Sequence, residues 1–143
     1  VTGKIYRLSE YSLERLRTCD DRLQQIVRIV SAYYDVRVLE GARSWSRQRV
    51  LLAEDKTKLG PGKSKHNPPT EGDVDWKSLA VDVVPYPIDW KDAKRFIYLA
   101  GLMIATGKSL GVELRWGGNW DMDQTIIDDQ SFDDLPHFEI WEG

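Results

Sequence analysis

The sequence predicts an α+β fold. Segments of helical periodicity and short β-branched runs both occur along the chain, but they do not alternate as regular βαβ units. There are also no internal repeats or low-complexity tracts. At 143 residues, with 41% hydrophobic and 30% charged side chains, residues 1–143 read as one small globular domain. A domain of this size buries roughly 68–70% of its unfolded surface, so a core is available without covalent staples.

Taken in order, Leu13, Leu16, Leu23, Ile26, Val27, Val30 and Tyr33 recur at three- and four-residue spacing. They predict an amphipathic helix over residues 12–33 with Ser12 as its N-cap. Residues 36–39 alternate and are β-branched, which predicts a strand ending at Gly41. A second helix is expected from Ser46 to about residue 58, capped by Ser46. Residues 59–77 are dominated by Pro, Gly, Asn and Asp and predict a long irregular loop, a feature usually tied to function inside a compact domain. Residues 79–84 predict a buried strand stopped by Pro85 and Pro87. Asp89 or Asp92 opens a helix to about residue 110, with Phe96, Ile97, Leu99, Ala100, Met103 and Ile104 on its apolar face and Gly111 closing it. Residues 112–116 predict a strand, 117–135 an acidic loop with six aspartates, and 138–141 a last strand.

Composition excludes several function classes. A net charge of −3 argues against generic nucleic-acid binding. The charge is uneven: residues 1–65 carry +6 and residues 66–143 carry −9. Such asymmetry is compatible either with one face meeting an anionic partner or with unevenly solvated surfaces. The longest apolar run, residues 96–105, is half the ~20 residues a spanning helix needs, so no stable membrane insertion is expected. The first residues are charged throughout with no apolar core, so no signal peptide is legible and synthesis in the cytoplasm is expected. The single cysteine, Cys19, excludes an internal disulfide and a multi-cysteine zinc site.

Two motifs are decoys. Gly107-Lys108-Ser109 resembles the end of a phosphate loop, but five residues separate Gly101 from Gly107 where four are needed, and the stretch has a helical pattern. The acidic loop around Asp121, Asp123, Asp128 and Asp129 lacks the glycine and glutamate of an EF-hand; a solvated loop accounts for it. More informative is Asp82, a carboxylate within the apolar run Ala80-Val81-Asp82-Val83-Val84. It is costly there unless paired or bound to a metal. The two histidines of the chain, His66 and His137, would complete with it the N/N/O set of a catalytic zinc, with a fourth position for water. Asp134, three residues before His137, is a candidate general base. Pro136 argues against a helix there, so a turn is expected to bring Asp134 and His137 together. Arg43, after the first strand, could stabilise an oxyanion, although a surface ion pair is the default for an isolated arginine.

Together and in order, Glu40-Gly41-Ala42-Arg43-Ser44 with Arg47-Gln48, Ser64-Lys65-His66, Ala80-Val81-Asp82-Val83-Val84-Pro85, Trp116-Gly117-Gly118-Asn119-Trp120 and Asp134-Leu135-Pro136-His137-Phe138-Glu139 resemble the zinc peptidoglycan peptidases. These include D-Ala-D-Ala carboxypeptidases and dipeptidases and the phage L-alanyl-D-glutamate endopeptidase endolysins. The resemblance runs from about residue 36 to the C-terminus. It implies an antiparallel sheet carrying the zinc site and flanked by helices. His66, Asp82 and His137 would be the zinc ligands, Asp134 the catalytic base, and Arg43 the contact to the substrate carbonyl. Ser64 and Gln48 would help hold the site or bind the substrate. Two departures stand out. Fifteen residues separate His66 from Asp82, against six in the family, which implies an insertion within 67–79. Asp73 has the family spacing but lacks the Ala-x-Asp strand context, so Asp82 is preferred and Asp73 stays open. Asn119 stands where relatives often carry Asp.

The resemblance implies a monomeric enzyme that cuts the peptide stem of peptidoglycan and acts on the bacterial cell wall. The endolysin-type endopeptidase is preferred, because residues 80–90 and the single-domain size look like the phage enzymes. A D-Ala-D-Ala carboxypeptidase shares the same motifs. A catalytically silent, zinc-containing wall-binding module is the alternative of another class, and a domain with a purely structural metal is a third.

Overall fold

The computed structural model describes residues 4–130 and 132–143. Residues 1–3, part of the stretch read for a signal peptide, and Ser131 of the acidic loop lie outside that description. Among the described residues there are four helices and a four-stranded antiparallel sheet, and no helix is long and apolar enough to cross a membrane.

Where one helix is expected over 12–33, the chain forms two. Helix α1 spans Glu10–Leu16 and α2 spans Asp21–Tyr33. The Thr18 hydroxyl donates to the Arg15 carbonyl at 2.6 Å, Cys19 pairs with Ser78 in a single parallel bridge, and Asp20 accepts from the Arg22 backbone to cap α2. Short polar side chains offer the backbone these local partners in place of helix continuation. Leu16 and Leu23 both reach the core, and a seven-residue step is two helical turns, so the periodicity runs unbroken across the gap. The cap of α1 is Ser9, not Ser12. Ser12 is buried instead, and its Oγ accepts the Val38 backbone N–H at 3.0 Å, tying α1 to strand β1 (Val36–Glu40).

Helix α3 spans Trp45–Ala53, capped by Ser44 rather than Ser46. It ends early because Asp55 adopts a left-handed φ of 59°. Residues 54–79 hold no helix or strand, as their composition predicts. The loop is tethered: the Trp45 indole donates to the Pro68 carbonyl at 2.7 Å, and the Ser78 backbone donates to the Thr18 carbonyl at 2.8 Å. Strand β2 (Ala80–Pro85), helix α4 (Ala93–Ser109) and strand β3 (Leu114–Gly117) follow near their expected places. Strand β4 spans Asp134–Ile140, starting earlier than the predicted 138 and including Pro136 and His137.

The strand order is β1-β2-β4-β3, each pair antiparallel. Alternation gives the sheet two different faces. Val36, Val38, Val81, Val83, Leu114, Trp116, Phe138 and Ile140 pack with Leu23, Ile26, Val27 and Val30 of α2 and Leu99, Ala100 and Met103 of α4 into the core. The intervening residues Asp82, Arg115, His137 and Glu139 take the opposite face. Two irregularities extend that face. Val38 pairs with Val83 and Glu40 with Asp82, so two residues of β1 oppose one of β2. This bulge turns Glu40 away from the core and toward Asp82. Trp116 pairs with Phe138 but Gly117 with Asp134, so one step on β3 faces four on β4. Glu40, Asp82 and His137 thereby form one row across three adjacent strands.

Candidate metal centre

Asp82 and His137 are register partners on β2 and β4, while His66 comes from the long loop. His66 is fixed from three directions. Its backbone N–H donates to Ser64 Oγ at 3.1 Å, its carbonyl accepts from the Arg43 backbone at 2.7 Å, and its ring Nδ1 lies 2.7 Å from the Gly41 carbonyl. A carbonyl only accepts, so Nδ1 carries the proton and the Nε2 lone pair points elsewhere. That Nε2 is 3.1 Å from Asp82 Oδ1. His137 is oriented the other way round. Its Nε2 donates to Glu139 Oε1 at 2.8 Å, and its Nδ1 lies 3.4 Å from Asp82 Oδ1.

The three ligand atoms lie within 4.8 Å of one another, so these side chains can hold a metal ion. Ligands at ~2.0–2.2 Å from a tetrahedral zinc stand roughly 3.3–3.6 Å apart. The observed 3.1 and 3.4 Å approach that edge length, and two nitrogens with one oxygen is a donor set that zinc accepts. The electrostatics agree. Burial alone would raise the Asp82 carboxyl, but His66 and His137 outweigh it and hold the group ionised, well below the usual carboxylate range. Burial also works against a charged His137, yet its hydrogen bonds to Asp82 and Glu139 prevail and raise it to about 9. A pocket that stabilises a proton there also stabilises a metal cation.

Asp134 Oδ2 lies 3.9 Å from His137 Nδ1. Residues three apart on a regular strand face opposite sides; the β3–β4 irregularity brings them together. This replaces the turn expected from Pro136, which sits where the ladder is already broken and no N–H is needed. Burial first, and then the charge of Asp82, push the Asp134 carboxyl above its ordinary value.

The Arg43 guanidinium forms a bidentate pair with Glu40, Nε to Oε1 at 2.9 Å and Nη2 to Oε2 at 2.6 Å, and Nη1 donates to Gln48 Oε1 at 2.9 Å. Burial disfavours its charge, but Glu40, Asp82 and Asp134 more than offset this. Gln48 is fully buried, and its Nε2 donates to the Leu59 carbonyl at 2.9 Å. Both ends of the Gln48 amide are thus used within the chain, and the Ser64 hydroxyl likewise serves the His66 turn. Asp73 is exposed in the loop and accepts from the Asp75 backbone, whereas Asp82 lies among the ligand atoms.

Sequence reasoning gave no role to Glu139, Glu40, Asn67 or the Gly41 carbonyl. Asn67 donates from Nδ2 to the Arg43 carbonyl at 3.0 Å, joining the His66 turn to the Arg43 segment. Glu139 had a legible signal: His-x-Glu on a strand puts both side chains on one face. Glu40 did not, since only the bulge turns it toward Asp82. In the acidic loop, Asp121, Asp123 and Asp129 lie close together and exposed.

A family model for phage L-alanyl-D-glutamate peptidases matches residues 4–141. The L-alanyl-D-glutamate peptidase of Escherichia phage T5 is 30% identical over 122 residues, covering 81% of this chain and 82% of that protein. The crystal structure of the Serratia marcescens L-Ala D-Glu endopeptidase ChiX superimposes with a TM-score of 0.72 at 24% identity, covering 95% of this chain and 91% of that one; this likeness establishes the fold.

Proposed function

Because the chain belongs to the phage L-alanyl-D-glutamate peptidase family, we propose that it is an endolysin-type zinc endopeptidase acting on the bacterial cell wall. Its substrate is the peptide stem of peptidoglycan, cut between L-Ala and D-Glu. The observation that carries this reading is the convergence of His66 Nε2, Asp82 Oδ1 and His137 Nδ1, with Asp134 beside them. A zinc ion held by these three groups would polarise the scissile carbonyl and lower the pKa of a water to about 7.

The chain's own residues do the rest. Asp134 takes a proton from the attacking water and returns it to the leaving amine of D-Glu. Its raised proton affinity suits both transfers. Arg43 uses three of its five N–H bonds on Glu40 and Gln48; the other two are available to a carbonyl oxygen as charge develops on it. Gln48 and Ser64 hold Arg43 and His66 in place. The assignments of Asp134, Arg43, Gln48 and Ser64 rest on these contacts and on the family resemblance.

Mass spectrometry of purified peptidoglycan digested with the zinc-loaded protein tests the reading. New L-Ala carboxyl termini and D-Glu amino termini are expected. Release of terminal D-Ala alone would make it a carboxypeptidase, and tight wall binding without cleavage would make it a silent module.

A further inference from the structure

Glu139 lies on the far side of His137 from the ligand atoms, and both of its carboxylate oxygens are engaged. Oε1 accepts from His137 Nε2 at 2.8 Å and Oε2 accepts from Arg115 Nη2 at 3.1 Å. The Glu139 side chain is only 5% exposed. Arg115 is its register partner on β3, and the guanidinium lies over two indoles, 4.4 Å from the Trp141 ring centre and 5.3 Å from that of Trp120. The Trp120 ring in turn is 5.5 Å from the His137 ring. A guanidinium over aromatic faces keeps its plane and loses little entropy when its fork engages a carboxylate. Each link therefore limits the motion of the next.

We propose that Glu139 is a positioning residue that presents Nδ1 of His137 to the metal, and that Arg115, held over Trp120 and Trp141, fixes Glu139 for that task. The inference rests on the metal-site reading above. The two histidines of the site are set by different devices, His66 by a loop carbonyl and His137 by a carboxylate on its own strand. Truncating Glu139 removes the only one of these partners that a side-chain substitution can delete. The imidazole then becomes free to turn or to change tautomer.

The test measures zinc affinity of the intact chain by competition with a chromophoric chelator, without substrate. Loss of such a partner weakens metal binding by about 10–100-fold. Glu139→Ala is expected to fall in that range. Glu139→Gln, which keeps an acceptor for Nε2–H, should recover most of the affinity. Arg115→Met should lose affinity in the same direction by a smaller factor and lower kcat more than KM. Proton NMR of the zinc-loaded wild type should show a slowly exchanging His137 Nε2–H that Glu139→Ala lacks. Wild-type zinc affinity in Glu139→Ala, with only a lowered Tm, would overturn the proposal, as would Nε2 ligation by His137. If Glu139→Ala fails to fold, the nitrogen by which His137 binds zinc in the wild type decides the role of Glu139, Nε2 ligation refuting it, and Arg115→Met decides the role of Arg115, unchanged zinc affinity refuting it. The zinc-affinity and NMR readouts need no substrate, so they stand apart from the peptidase assignment.

Discussion

Gly41→Ala probes how packing remote from the chemistry reaches the metal site. A Cβ on Gly41 would stand 2.6 Å from the Arg15 carbonyl oxygen and 2.8 Å from Cys19 Sγ, and would also press on Thr18 Oγ1. None of these yields easily. The Arg15 oxygen is helix backbone, Cys19 is buried in the core, and Thr18 Oγ1 both donates to that oxygen at 2.6 Å and accepts from the Ala42 backbone at 2.8 Å. Restoring an ordinary contact of 3.4 Å to the Arg15 oxygen requires residue 41 to retreat by about 0.8 Å. The Gly41 carbonyl, which holds His66 Nδ1 at 2.7 Å, would move with it. Overpacking of this kind costs about 1–3 kcal/mol, and a 1 Å misplacement of a catalytic group costs about 100-fold in rate. The expected outcome is a Tm several degrees lower, weaker zinc binding, and a kcat/KM on purified cell walls lower by roughly 10- to 100-fold. Chelator competition, wall-clearing kinetics at saturating zinc and thermal denaturation measure the three. A folded variant with reduced Tm but wild-type zinc affinity and turnover would refute the claim that this carbonyl aims His66.

Other predictions follow from the same geometry. Asp134→Asn should cut kcat by about 10²–10⁴-fold while zinc stays bound, as metal analysis of the inactive protein would confirm; hydrolysis at the wild-type rate would remove Asp134 from the mechanism. Gln48→Leu leaves the Leu59 carbonyl and one Arg43 N–H without their partner, so a stability loss of about 1–3 kcal/mol and a drop in kcat are expected from denaturant melts and steady-state kinetics. In the metal-free protein His137 is raised from 6.5 to about 9. A raised folded-state pKa stabilises the fold fully below pH 6.5, and that contribution is lost as pH rises through about 9. Zinc must displace this proton, so binding at pH 7 should release about one proton and weaken as pH falls. Calorimetry in buffers of different ionisation enthalpy reads this directly, and binding heats independent of buffer would contradict it.

The sheet and the clustering of His66, Asp82 and His137 were largely legible in the sequence, because a β-branched run interrupted by one aspartate leaves few physical explanations. Strands β1 and β2, helix α4 and the irregular loop lie close to where periodicity, proline and glycine put them. The errors have a common cause. Ser9 and Ser44, not Ser12 and Ser46, cap their helices, and the choice at Ser12 depends on a bond to Val38, twenty-six residues away. The break between α1 and α2 depends likewise on Ser78 receiving the Cys19 segment. Asp134 and Glu40 reach the site only through strand irregularities, which shift side chains between faces without any local sequence mark. Arg43 and Gln48 meet because the segment after β1 folds back on α3, which a one-dimensional pattern does not display, whereas the His137-x-Glu139 spacing on one strand does leave a sequence mark.

Anomalous scattering at the zinc edge, in crystals of the zinc-loaded active protein, locates the metal. One ion is expected, bound at about 2.0–2.2 Å to His66 Nε2, Asp82 Oδ1 and His137 Nδ1. An active protein whose zinc lies elsewhere, or is held by Asp73 in place of Asp82, would contradict this placement.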